Sequence, residues 1–162
     1  MQILMVCLGN ICRSPIADGL LRKKVKEKNV TFIIDSAGTS GFHQGDPPDE
    51  RMIATATKNG TCIKDLRSRR FLKCDFESFD FIIAMDESNL EDLLEIAEKK
   101  EHKAKIHLLL GPITNQANGN VPDPYYGTMS DFQDVYEIVD KATDTLLEKL
   151  IFIQKTEPNL PI

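Results

Sequence analysis

The stretch Ile3-Leu-Met-Val-Cys-Leu-Gly-Asn-Ile-Cys-Arg-Ser-Pro15 decides the reading of this chain. Ile3–Val6 is a short apolar run of the kind that forms a buried strand, and Pro15 opens a helical pattern reaching about Glu27. Proline is favoured at the first helical position, and Ser14 before it is a suitable cap. Strand, glycine-containing turn and helix N-terminus in succession aim main-chain N–H groups at one point, where an anion is stabilised. Leu8, Gly9, Asn10, Ile11, Cys12, Arg13 and Ser14 are therefore the expected phosphate-binding loop. It is not a nucleotide P-loop, because the G-x-x-x-x-G-K-[ST] pattern is absent.

Cys7 turns this cradle from a binding site into a reactive one. A free thiol titrates near pH 8.5, but the helix N-terminus, the loop amides, Arg13 and the Ser14 hydroxyl all favour a thiolate here. Such surroundings lower a cysteine pKa by roughly 2 to 4, about 3 to 5 kcal/mol. The same donors suit a phosphate dianion, with Arg13 gripping two oxygens through its planar fork. They also match the equatorial oxygens of the transition state as sulfur attacks phosphorus.

A departing oxygen then needs a proton. Asp123 in Val121-Pro-Asp-Pro-Tyr-Tyr-Gly127 is the candidate donor, since prolines on both sides stiffen the segment that carries it. Tyr125 and Tyr126 supply flat walls suited to an aromatic leaving group.

Short apolar runs alternate with helical patterns along the rest of the chain. The strand candidates are Ile3–Cys7, Thr31–Asp35, Asp80–Met85 and Lys105–Leu109, each with little alternation, as in parallel strands covered on both faces. A second helix starts near Pro47-Pro48-Asp49, carries Met52, Ile53 and Ala56 on one side, and stops at Asn59-Gly60. A third follows Ser88, with Glu91 completing a capping box and Leu90, Leu93, Leu94 and Ala97 forming the stripe. The last pairs Ser130 with Gln133 and repeats Phe132, Val135, Val139, Ala142, Leu146 and Leu150. Asp86, after the third strand, reads as a helix cap, and Gly111 to Pro122 as a mobile polar loop. The expected fold is a three-layer α/β sandwich with a central four-stranded parallel sheet flanked by helices. Ligands in such sheets bind at the carboxyl ends of the strands, where Cys7 falls.

Composition sets limits. With 162 residues, 41% of them apolar, the chain reads as one domain over residues 1–155 followed by a short tail at 156–162. No run approaches the roughly 20 apolar residues of a membrane span, and no basic-then-apolar signal segment is present. A cytoplasmic setting with reduced thiols is expected. Formal charge is −5, which argues against non-specific nucleic-acid binding; Arg22, Lys23, Lys24, Lys26 and Lys28 read as a solvated helix face. Cys7, Cys12, Cys62 and Cys74 lack the paired C-x2-C spacing of a zinc site, so no metal and no cofactor is expected. His43, His102 and His107 have no motif tying them to Cys7, and His102 reads as surface.

V-C-L-G-N-I-C-R-S-P at the start, D-S-A-G-T-S at 35–40, M-D-E-S-N at 85–89 and D-P-Y-Y at 123–126 resemble the low-molecular-weight protein tyrosine phosphatases, in the same order. That resemblance implies hydrolysis of phosphotyrosine proteins through a cysteinyl-phosphate intermediate, by a monomer or weak dimer. Cys7 would be the nucleophile, Arg13 the phosphate binder and Asp123 the general acid, then the base for water. Asn10, Ser14 and Ser36 match positions whose hydrogen bonds hold the loop, and Phe42 matches the pocket wall. The family pairs a cysteine at the Cys12 position with the nucleophile as a redox guard. Two departures stand out. The His of an H-x-A-R-like stretch is missing from Leu66-Arg-Ser-Arg-Arg70, so Asn10 needs other support, and His43 follows Phe42 where an acidic residue is common. A protein arginine phosphatase and a thioredoxin-linked arsenate reductase share the loop. Ile11, where the former have Thr, and the separation of Cys62 from Cys74 by residues 63–73 weigh against both.

Overall fold

The computed structural model describes residues 1–115 and 119–156; parts of the expected polar loop (116–118) and tail (157–162) lie outside the described residues. Four parallel strands, β1 (Gln2–Cys7), β2 (Ile33–Gly38), β3 (Phe81–Ala84) and β4 (Ile106–Leu108), form one sheet in the order β2-β1-β3-β4. Around it lie α1 (Arg13–Glu27), α2 (Glu50–Lys58), α3 (Asp75–Ser78), α4 (Glu87–Ile96), α5 (Lys100–Ala104), a 3-10 turn (Pro112–Thr114) and α6 (Met129–Thr156). The chain is an α/β sandwich of three layers, as its sequence pattern predicts.

β1 explains the layering. Ile3 and Met5 enter one core with Ile16 and Leu20 of α1 and Phe132, Val139 and Leu146 of α6. Leu4 and Val6 point into the other, with Phe76, Ile82 and Leu93. All four β1 side chains are fully buried, so the strand is a continuous apolar run, as both-sided covering requires.

The observed ends refine the expected ones. β2 runs to Gly38, three residues beyond the expected Asp35, because Asp35 and Ser36 interrupt the apolar pattern without breaking pairing to Leu4 and Met5. Gly38 pairs with Cys7, and a Cβ there would lie 2.6 Å from the Leu8 carbonyl oxygen. Only hydrogen fits beside the returning loop. Gly38→Ala is expected to lower stability by about 1–3 kcal/mol, read as a fall in the urea midpoint; an unchanged midpoint would contradict the close approach.

α2 starts where expected, and Asp49 caps it, its carboxylate accepting from Arg51 N–H at 2.9 Å. α4 is capped by Asp86, not Ser88: Asp86 Oδ1 accepts from Asn89 N–H at 2.7 Å. At the start of α6, Asp131 accepts from the Thr128 N–H at 2.6 Å, displacing the expected Ser130–Gln133 box. α1 begins at Arg13, with Ser14 and Pro15 already in its first turn, so Ser14 caps nothing. Its hydroxyl is thereby left for the loop.

Two expectations of solvation are overturned. Lys24 is buried on α1, its Nζ 2.9 Å from both Asp140 and Asp144 of α6, because α1 and α6 pack along that face. His102 is also buried; its ring stacks on Phe76 at 4.6 Å, with Nε2 3.1 Å from Glu77. Near-neighbour charges hid an aromatic contact from the sequence pattern. No helix among the described residues is long and apolar enough to cross a membrane.

Candidate active site

Cys7 is the last residue of β1, and the loop after it climbs over the carboxyl ends of the strands into α1. Its Sγ lies 3.0 Å from Ser14 Oγ and accepts from Asn10 N–H at 3.2 Å. Ser14 Oγ in turn accepts from Asn10 Nδ2 at 2.9 Å and reaches the Ala37 carbonyl at 3.3 Å. Asn10 holds a left-handed main chain, φ 54°, which bends the loop over the sulfur. Ile11 O accepts from Asp49 N–H at 2.8 Å, fastening the far side. Among the described residues no protein acceptor engages the N–H groups of Gly9, Ile11 or Cys12, leaving them for an anion.

Arg13 is almost fully buried and held by two carboxylates. Nη1 donates to Asp86 and, at 3.3 Å, to the Val121 carbonyl; Nη2 donates to Asp123 Oδ2 at 2.8 Å. Burial disfavours its charge, but the Cys7 sulfur, Asp123 and Asp86 outweigh burial and push its pKa up. Asp86 thus caps α4, as its place in the sequence indicates, and also orients the guanidinium.

Asp123 follows a segment pinned at Val121, whose N–H donates to the Met85 carbonyl at 2.9 Å. Its Oδ1 accepts from Tyr125 N–H at 3.1 Å. Arg51 of α2 steadies the other side of the segment, donating to the Tyr125 carbonyl at 2.9 Å while paired with Asp49 at 2.8 Å. Arg51 had no signal in the sequence beyond its charge.

These groups surround a cleft of about 340 Å³. Its lining combines the loop residues Cys7, Leu8, Gly9, Ile11, Cys12 and Arg13 with Phe42, His43, Asp123, Tyr125 and Tyr126. Phe42 and Tyr126 stand out as 89% and 96% exposed, so the rim is apolar and accessible. His43, unassigned by sequence, joins the rim with Nδ1 3.2 Å from Asp46.

A family model for low molecular weight phosphotyrosine protein phosphatase matches residues 2–155. The chain belongs to that family. The human low molecular weight phosphotyrosine protein phosphatase is 44% identical over 151 residues, covering 91% of this chain and 94% of the relative. The Gallus gallus protein of the same name is 45% identical over equal coverage. A crystal structure of protein tyrosine phosphatase from Entamoeba histolytica with Hepes in the active site superposes with a TM-score of 0.88 at 38% identity, covering 94% of this chain and 97% of that one.

Against the loop support expected in this family, two residues stand differently. Ser36 is buried on β2, and among the described residues no hydrogen bond joins its hydroxyl to the loop. Asn10 is held by the Arg69 main-chain N–H, 2.9 Å from its Oδ1, which supplies the support that the sequence left open. Asn10 and Ser14 do sit on the sulfur, as expected. Cys12 lies in the cleft too; burial first, then Asp49 and Cys7, push its thiol up, so it stays protonated at neutral pH. Cys62 and Cys74 are free and exposed. Among the described residues no cluster of His, Cys, Asp and Glu is arranged to hold a metal ion.

Proposed function

We propose that this phosphatase hydrolyses phosphotyrosine in proteins by passing the phosphoryl group through Cys7. One observation carries the reading: the Cys7 sulfur, bonded to Ser14 and Asn10, shares a single cleft with Arg13, Asp123 and an aromatic rim. Sulfur attacks phosphorus as the phenolic P–O bond breaks, and the Asp123 carboxyl donates its proton to the departing oxygen. Water then attacks the phosphocysteine with Asp123 as base, the P–S bond breaks, and Ser14 donates to the emerging thiolate.

Arg13 links the two roles. Its Nη2 carries Asp123 at 2.8 Å, and a phosphate dianion competes for the same guanidinium edge. Once displaced, the Asp123 carboxyl is free to turn toward the departing oxygen. Asp86 keeps the other edge of Arg13 aligned throughout.

Phe42, Tyr125 and Tyr126 favour an aryl phosphate, and the buried Ile11 gives the loop side of the cleft an aliphatic surface. The four free cysteines suit a reducing, cytoplasmic setting. Matched phosphotyrosine and phosphoarginine peptides decide between substrates. The former are expected to give kcat/KM higher by about 10²-fold, since a planar guanidinium gains little from the aromatic rim. A preference for phosphoarginine would overturn the assignment.

A further inference from the structure

Asn10 is a strained residue at the centre of the loop: side chains other than glycine rarely occupy φ 54°, so its conformation has to be imposed. Arg69 imposes it. The Arg69 N–H donates to Asn10 Oδ1 at 2.9 Å, and the Arg69 carbonyl accepts from Gly38 N–H at 2.9 Å. Its side chain runs the other way, to two anchors. Nε and Nη2 both lie 2.9 Å from Asp35 Oδ2, and Nη1 lies 3.0 Å from Asp75 Oδ2. Asp75 is buried and also accepts from Leu72 N–H at 2.8 Å, so that anchor is itself fixed. The preceding residue works in parallel: Ser68 Oγ donates to the Gly9 carbonyl at 3.1 Å.

We propose that Arg69 is a positioning residue for the nucleophile, its guanidinium locked between Asp35 and Asp75 so that its main-chain N–H holds Asn10 and, through Asn10 and Ser14, the Cys7 sulfur. The path is continuous. Arg69 N–H to Asn10 Oδ1, Asn10 Nδ2 to Ser14 Oγ, and Ser14 Oγ to Cys7 Sγ measure 2.9, 2.9 and 3.0 Å. Each step is fixed at both ends, which suits a chain of bonds that must keep one lone pair and one hydroxyl aimed. Arg69 lines no part of the cleft, so it acts only through Asn10.

The inference rests on Cys7 being the nucleophile, and its test separates the two. Arg69→Met, Arg69→Lys and Asp35→Asn are compared with wild type for kcat and KM on an aryl phosphate, for Tm, and for the pH midpoint of Cys7 alkylation by iodoacetamide, read by peptide mass mapping. Asp35→Asn retains Oδ1 for the Ser36 N–H, 2.8 Å away, and replaces the Oδ2 acceptor that faces Arg69 with an amide donor; it decides the matter if Arg69→Met fails to fold. The expected result is a kcat about tenfold lower in Arg69→Met and about threefold lower in Asp35→Asn, with KM within about twofold, since a small misplacement of the nucleophile costs rate before binding. The alkylation midpoint rises in both, and Arg69→Lys recovers part of each loss. A lowered Tm with kcat and midpoint both at wild-type values, or a fall in kcat with no movement of the midpoint, overturns the proposal. Alkylation needs no turnover, so it still reports on the clamp if the wild-type protein hydrolyses no phosphotyrosine, an outcome that removes the proposed function alone.

Discussion

Asp123→Ala slows phosphotyrosine hydrolysis by about 10²–10⁴-fold, the range expected when a positioned general acid is removed. The loss is graded by the leaving group. Phosphotyrosine peptides and unsubstituted phenyl phosphate, whose phenolate leaves poorly without a proton, lose most. Aryl phosphates with strongly electron-withdrawing substituents leave unaided and lose least, so a plot of log kcat/KM against leaving-group pKa steepens in the variant. The structure gives the reason for expecting Asp123 and no other carboxyl. Asp86 is the second acid on Arg13, but it is committed to the Asn89 N–H as a helix cap and has a side chain 16% exposed, against 45% for Asp123. Asp123 also lines the cleft, and Asp86 does not. An Asp123→Ala loss that is equal for every leaving group would place the acid elsewhere.

Cys7→Ser abolishes turnover, with a fall of about 10⁵-fold or more, comparable to the loss of a nucleophile in other covalent mechanisms. A hydroxyl is a weaker acid and a far poorer nucleophile than a thiol in the same place. The loop amides, Arg13 and the aromatic rim remain, so the variant still binds phosphotyrosine peptides with an affinity near the wild-type KM. Isothermal titration with a phosphopeptide reads this directly, and the complex captured by the variant identifies candidate protein substrates. Measurable turnover by Cys7→Ser, above the level set by a Cys7→Ala control, would show that sulfur is dispensable.

Much of this site could be read from residues because its chemistry is local. Cys7 to Ser14 is one uninterrupted loop, and a strand, a turn and a helix start fix where its N–H groups point. Asp123 was legible through its two prolines. What escaped the sequence is what the sheet brings together from a distance. Asp86 and Arg13 are separated by most of two βα units and meet because β1 and β3 are neighbours. Arg69 reaches Asn10 because residues 69–71 pair with the main chain of Gly38 at the end of β2. Asp131 displaces the box expected at the start of α6 because a carboxylate is a stronger acceptor than a hydroxyl or an amide, and its charge is favoured at a helix N-terminus.

Rapid acid quenching of wild-type protein during turnover of a phosphotyrosine peptide, followed by mass mapping, interrogates the sulfur itself. The mechanism predicts a phosphoryl adduct about 80 Da heavier on the peptide containing Cys7, absent before substrate is added and absent in Cys7→Ser. Steady hydrolysis with Cys7 unmodified at every quench time would mean that water attacks the ester directly, and would contradict the covalent account.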